Sequence, residues 1–196
     1  MIKHLHLKGF VALAAAFAMS TSAFAATQIN DAAGLAAMAY DLAGEYELTA
    51  DIQLSGEWAP IGNNDAPFTG TFNGNGHSIS GLTYTTNGNW VGLFGASTGT
   101  IKNVRIVNGM VRGYNYVGSI AGYTGNDVQI TDCYNGADIT CLGGTVGGIV
   151  GRSNPDNNGV DNFVERCVNT GNVLSNSDEA GGIIGYCIAR LTDCVN

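Results

Sequence analysis

The sequence predicts an all-β protein, a right-handed parallel β-helix of about three short strands per coil with a short N-terminal capping helix. Three observations carry that expectation. One phrase occurs four times, as Val91-Gly-Leu-Phe-Gly95, Val117-Gly-Ser-Ile-Ala-Gly122, Val146-Gly-Gly-Ile-Val-Gly151 and Ala180-Gly-Gly-Ile-Ile-Gly185. Its last glycines lie 27, 29 and 34 residues apart, a period that marks stacked structural repeats. A second phrase follows each copy at short range: Ile101-Lys-Asn-Val104, Ile130-Thr-Asp-Cys133, Val164-Glu-Arg-Cys167 and Leu191-Thr-Asp-Cys194. A third apolar segment completes the unit, as in Val107-Asn-Gly-Met-Val111 and Val168-Asn-Thr-Gly-Asn-Val173. These segments are β-branched or glycine-rich and shorter than the ~10–12 residues a helix needs, so they read as strands. Three strands and three turns fit one coil of a β-helix, whereas a propeller blade takes four strands and about 40–50 residues.

The chain divides in order. Residues 1–25 carry Lys3 and Lys8, an apolar run from Gly9 to Met19, and Ala23-Phe-Ala25, which together fit a secretory signal peptide cleaved after Ala25. The apolar run is shorter than the ~20 residues a membrane span requires, and no later segment is apolar enough to span. Residues 26–60 are expected to form an N-terminal cap. Asn30 or Asp31 caps a helix running to Gly44, with Leu35, Met38, Ala39 and Leu42 on one apolar face. A strand over Tyr46–Leu54 and a turn over Trp58–Gly62 follow. Such a cap covers the core and strand edges that a solenoid's end exposes. Residues 61–196 hold the repeats, and the chain stops at Cys194-Val-Asn196, midway through a unit, so it is expected to continue into further repeats or another domain.

Stacking coils about 4.8 Å apart turns equivalent residues into ladders. Ile101, Ile130, Val164 and Leu191 should form an interior ladder, while Ile149, Val150, Ile183 and Ile184 belong to a neighbouring strand whose faces the pattern does not separate. Cys133, Cys167 and Cys194 share a position with Val104. Parallel in-register side chains hold their Cβ atoms farther apart than the ~3.8 Å of a disulfide, so they are expected as free thiols in the core. Cys141 and Cys187 lie off that ladder, and no Cys-x-x-Cys site is present. Asn135, Asn169 and Asn196 should stack through their amides. Asp132, Arg166 and Asp193 alternate in sign at one position and read as solvated charge.

Composition narrows the partners. The full chain has 8 Lys and Arg against 16 Asp and Glu, a net charge of −8, and removal of a leader containing Lys3 and Lys8 makes it more acidic still. That disfavours nucleic acid and anionic membranes.

The stretch Phe68-Thr-Gly-Thr-Phe-Asn-Gly-Asn-Gly-His-Ser-Ile-Ser-Gly-Leu82, followed by Gly92-Leu-Phe-Gly95 and the Gly-Gly-Ile-Val-Gly copies, resembles the GLUG-motif repeat family of bacterial secreted and surface proteins. The resemblance covers roughly residues 46–196. It implies a β-solenoid outside the cell, of the kind found in large adhesin-like proteins and in the N-terminal regions of immunoglobulin A1-cleaving zinc peptidases. It implies no chemistry of its own, and the peptidases' His-Glu-x-x-His motif is absent from this chain.

Chemistry-bearing residues are sparse. Only His77 remains after the leader, within Gly74-Asn-Gly-His-Ser-Ile79, and it has no evident metal partner. The glycine phrases open strands and lack a phosphate-binding lysine, so nucleotide binding is unsupported. Asp132, Asp138 and Asp193, with Arg166, are the carboxylates a polysaccharide-acting β-helix enzyme would need. The insertion over residues 154–162 accounts for the 34-residue step but lacks the spacing of a calcium loop. No catalytic, metal or cofactor residue is therefore expected, and the chain reads as a non-catalytic adhesion or interaction scaffold whose partner is an extracellular protein or glycan. Tyr84, Trp90, Tyr114, Tyr116 and Tyr123 are the candidate ligand-binding residues. An accessory repeat region of a larger extracellular peptidase is the alternative.

Overall fold

The computed structural model describes residues 25–155, 162–177 and 179–196. The expected leader up to residue 24 and most of the 154–162 insertion therefore lie outside the described residues. Five parallel sheets run along one axis. The first has seven strands: Thr27–Ile29, Glu45–Leu48, Thr71–Asn73, Thr100–Lys102, Gln129–Thr131, Phe163–Glu165 and Arg190–Thr192. The second collects Ile52–Gln53, Ser78–Ser80, Arg105–Ile106, Tyr134–Asn135 and Val168–Asn169. The third holds Leu82–Thr85, Gly109–Gly113, Asp138–Cys141 and Val173–Ser175. The fourth holds Asn89–Val91, Asn115–Val117, Val146–Gly147 and Ala180–Gly181, and the fifth Phe94–Ser97, Ala121–Thr124, Val150–Ser153 and Ile184–Cys187. From Thr71 to Cys187 each chain circuit visits the five sheets in turn and pairs parallel with the circuit before it, which is a parallel β-helix.

One coil thus carries five short strands, where the three apolar segments anticipated three. Backbone corners account for the difference. Asn103, at φ 55°, ends the strand Thr100–Lys102 inside the segment Ile101–Val104. The glycine phrase Val117–Gly122 likewise spans two strands, Asn115–Val117 and Ala121–Thr124, with a corner between them. Because the phrase turns a corner, Ile149, Val150, Ile183 and Ile184 are all buried rather than alternating.

The last glycine of each phrase is required at that corner. A methyl group on Gly122 would meet the backbone of Trp90 and Val91, and one on Gly151 the backbone of Tyr116 and Val117. The fourth sheet therefore rests its backbone directly on the glycine column of the fifth, a contact only glycine permits. The motif repeats because that backbone contact repeats.

The ladder runs Tyr46, Phe72, Ile101, Ile130, Val164, Leu191, each paired in register with the next, but Leu191, expected in the interior, is 45 % exposed because it lies on the edge strand of its sheet. Phe72, Ile101, Ile130 and Val164 are fully buried, each contributing about 1.5–3 kcal/mol by leaving water. Cys133 and Cys167 are buried free thiols on the column begun by Val104, and Cys194 is partly exposed above them. Their Sγ atoms lie near backbone carbonyls, Cys133 by Thr131 O at 3.2 Å and Cys167 by Glu165 O at 3.3 Å. Burial pushes the Cys133 thiol up from its ordinary value, and that of Cys194 too. Cys141 is buried and Cys187 exposed, both as free thiols.

A second column changes character along the axis, from Ile79 and Ile106 to Asn135 and Asn169. Asn135 Nδ2 donates to Asn169 Oδ1 and Asn169 Nδ2 to Asn196 Oδ1, each at 2.7 Å. These bonds satisfy amides that would otherwise be stranded in the core.

At the N-terminal end Asp31 caps the helix Ala32–Ala37, its Oδ1 accepting from Gly34 N at 2.7 Å. A 3-10 turn, Met38–Tyr40, ends the helical segment before Gly44. Leu35 and Met38 are buried and Leu42 packs against the core, whereas Ala39 faces solvent. Trp58, expected in a turn, is buried in the first coil and donates its indole N–H to Leu93 O at 3.0 Å.

Candidate functional site

The fourth and fifth sheets bring rings together at their shared corner. Trp90 and Tyr116 immediately precede Val91 and Val117, which pair in register, so their rings stand one above the other with centroids 6.4 Å apart. Tyr123, on the fifth sheet, places its ring 6.0 Å from that of Tyr116. Above Tyr123 in register come Arg152 and Tyr186. The Arg152 guanidinium carbon lies 4.2 Å from the centroid of Tyr186 and 5.5 Å from that of Tyr116. The result is a half-exposed strip of four rings with one cation held among them.

The strip borders a groove of about 360 Å³, lined by Asn64, Pro67, Thr98, Tyr123, Asn126 and Asn154 among others. Successive coils contribute to it: the turn before Phe68, the ends of Phe94–Ser97 and Ala121–Thr124, and the residue after Val150–Ser153. Tyr123 fixes the groove wall by donating its hydroxyl to Asn154 O at 2.9 Å. Amide and hydroxyl groups thus sit beside ring faces, an arrangement suited to a ligand with both apolar patches and many hydroxyls.

The five aromatic residues singled out from sequence separate here. Trp90, Tyr116 and Tyr123 belong to the strip. Tyr84 does not: it pairs with Val111 in an inward-facing column and packs half-buried against the core. It follows Leu82 at a two-residue interval on one short strand, so it shares that side chain's inward direction. Tyr114 is exposed, 47 %, with its ring over Gly143. Arg152 and Tyr186 were not singled out, although a signal exists: Tyr123, Arg152 and Tyr186 each directly follow the last glycine of a phrase.

The charged corner is built differently. Asn103, Asp132, Arg166 and Asp193 all have positive φ, between 49° and 56°. Arg166 donates to both carboxylate oxygens of Asp132, at 2.7 and 2.8 Å, and to Glu165 at 3.0 Å. Its guanidinium holds the Asp132 carboxyl below the usual range and is itself raised by that bond. Asp138 lies on the third sheet, accepting from Asn172 N and Nδ2, so the carboxylates do not converge. His77 Nδ1 is 3.4 Å from Asp51 Oδ1, which also accepts from Ser78 N at 2.8 Å. That backbone bond lowers the Asp51 pKa. Among the described residues no three His, Cys, Asp or Glu side chains cluster as a metal site, and no helix is long and apolar enough to cross a membrane.

No protein-family profile matches the chain. It is 37% identical over 129 residues to halomucin of Haloquadratum walsbyi, a match covering 57% of this chain and 1% of that protein. It is 32% identical over 97 residues to a candidate Gly-rich membrane protein of Evansella cellulosilytica, covering 47% of this chain and 11% of that one. The chain therefore spans only a small part of the curated relatives it matches. The crystal structure of a candidate immunoglobulin A1 protease from Bacteroides ovatus superposes with a TM-score of 0.58 at 22% identity, over 86% of this chain and 74% of that one. That likeness establishes the shared fold.

Proposed function

We propose that this chain is a non-catalytic β-helical repeat region displayed outside the cell, secreted or surface-bound, which serves as an adhesion or interaction scaffold. The observation that carries the reading is the strip of Trp90, Tyr116, Tyr123 and Tyr186, held half-exposed beside a polar groove. Rings of this kind anchor extracellular protein or glycan ligands. The secretory leader read from residues 1–25, the GLUG-like motifs, and partial similarity to halomucin and a candidate membrane protein support an external location.

Replacing Trp90, Tyr116 and Tyr123 together by alanine tests it. Binding to immobilised mucin or host-cell glycoprotein should be lost while the far-ultraviolet circular dichroism of the solenoid persists. Undiminished binding would reject the strip as the recognition face. A second reading, an accessory repeat region of a larger extracellular peptidase, is favoured by the likeness in fold to the candidate immunoglobulin A1 protease. A His-Glu-x-x-His motif in the same reading frame would select it, and cleavage of immunoglobulin A1 by this chain alone would overturn the non-catalytic assignment.

A further inference from the structure

Arg152 is the strip's one cation, and its geometry is that of a group held ready rather than used. Its guanidinium lies over the ring of Tyr186 at 4.2 Å and within 5.5 Å of Tyr116. Among the described residues it has no ion pair and no hydrogen-bond acceptor, unlike Arg166, which spends its donors on Asp132 and Glu165. A guanidinium held over a ring face still carries a planar fork of N–H donors, the geometry that grips a carboxylate with two parallel hydrogen bonds. The ring contact also restrains the guanidinium before any ligand arrives, which lowers the ordering cost of binding.

We infer that the strip and groove bind an acidic oligosaccharide, with Arg152 gripping the carboxylate of one sugar while Trp90, Tyr116 and Tyr123 stack on apolar sugar faces. Two features favour a sugar acid over an acidic peptide. The adjoining groove is lined by Asn64, Thr98 and Asn154, polar residues that suit a ligand bearing hydroxyls along its length, and by the acidic Asp127, which favours neutral sugar units in the groove and leaves the carboxylate-bearing unit to Arg152. The groove also runs across successive coils as the aromatic column does, which suits a chain of rings. The chain's net charge of −8 opposes a dense polyanion and leaves an oligosaccharide with an isolated carboxylate as the fitting class.

This inference rests on the strip being the recognition face, and the test separates the two. A glucuronate-terminated oligosaccharide and its neutral glucose-terminated counterpart are titrated into the protein by calorimetry. The acidic sugar should bind at least about tenfold tighter at low salt, and Arg152→Gln should erase that preference, bringing the two sugars to equal affinity. Tyr186→Ala should weaken the acidic sugar more than the neutral one, shrinking the preference, and Tyr186→Phe should preserve it. Equal affinity for both sugars, or a preference that survives Arg152→Gln, overturns the acidic-ligand inference while the scaffold reading stands. Preference for an acidic peptide over the acidic sugar overturns it as well. If neither sugar binds wild-type protein, the inference fails with the glycan reading beneath it.

Discussion

Two corners of the coil run in the left-handed backbone region, and they are filled in opposite ways. One carries Asn103, Asp132, Arg166 and Asp193; the other carries Trp90 at φ 58° and Tyr116 at φ 56°. Asparagine and aspartate enter that region more readily than other residues with a Cβ, because their short polar side chains bond locally. At the first corner the residue types mostly follow the backbone, and the one exception, Arg166, is tied by two bonds to Asp132. At the second corner two large rings occupy a conformation that costs roughly 1–2 kcal/mol per residue. Nothing about the backbone asks for an aromatic side chain there. On the function proposed here the rings serve through their faces, and they stand beside a polar groove and a guanidinium that has no ion pair among the described residues.

The contrast can be broken most forcefully from beneath. Gly122→Ala drives a methyl group into the backbone of Trp90 and Val91, which neither side can yield without unseating the aromatic corner. A loss of at least about 3 kcal/mol in denaturant unfolding, or outright failure to fold, is expected. A change under about 1 kcal/mol would mean the fourth sheet does not rest on the glycine column.

Next come paired substitutions at the two corners. Asp132→Ala removes both a residue suited to positive φ and the partner of Arg166, and should cost about 1–2 kcal/mol, mostly from the backbone because the pair is solvent-exposed. Tyr116→Asn should change stability by less than about 1 kcal/mol, since relief of strain offsets lost ring contacts. Ligand binding should nevertheless fall sharply. Equal destabilisation at both corners, with binding retained in Tyr116→Asn, would erase the distinction.

The smallest effect is electrostatic. Because Arg166 depresses the Asp132 pKa in the folded state, the pair contributes stability above the carboxylate's ordinary value of 3.8, and that contribution is lost as pH falls below it. Melting temperature should therefore drop less steeply on acidification in Arg166→Gln than in the wild type. Identical acid limbs would show that the bond is electrostatically idle.

Much of this was legible in the residues. The ladder of Ile101, Ile130, Val164 and Leu191, the stacked thiols and the amide column follow from aligning the repeats, because in-register parallel pairing maps sequence position directly onto space. Strand number was less legible, because the left-handed turn at Asn103 splits a continuous apolar segment that hydrophobicity alone leaves whole. The strip was legible only in part. Its column reads Ala96, Tyr123, Arg152, Tyr186, chemically unlike residues that share an offset from a glycine and no common type. Tyr84 misled for the reverse reason: an aromatic in a polar-looking stretch, it faces inward because its short strand aligns it with Val111.

The most direct test of the account uses the chain's own two tryptophans, Trp58 sealed in the core with its indole bonded to Leu93 and Trp90 on the strip. In a nitrogen–proton correlation spectrum recorded during titration with the glucuronate-terminated oligosaccharide, the Trp90 indole and Arg152 Nε signals should move together while the Trp58 indole stays fixed. Stationary Trp90 and Arg152 signals at saturating ligand, or shifts centred on Asp132 and Arg166 instead, would contradict the account.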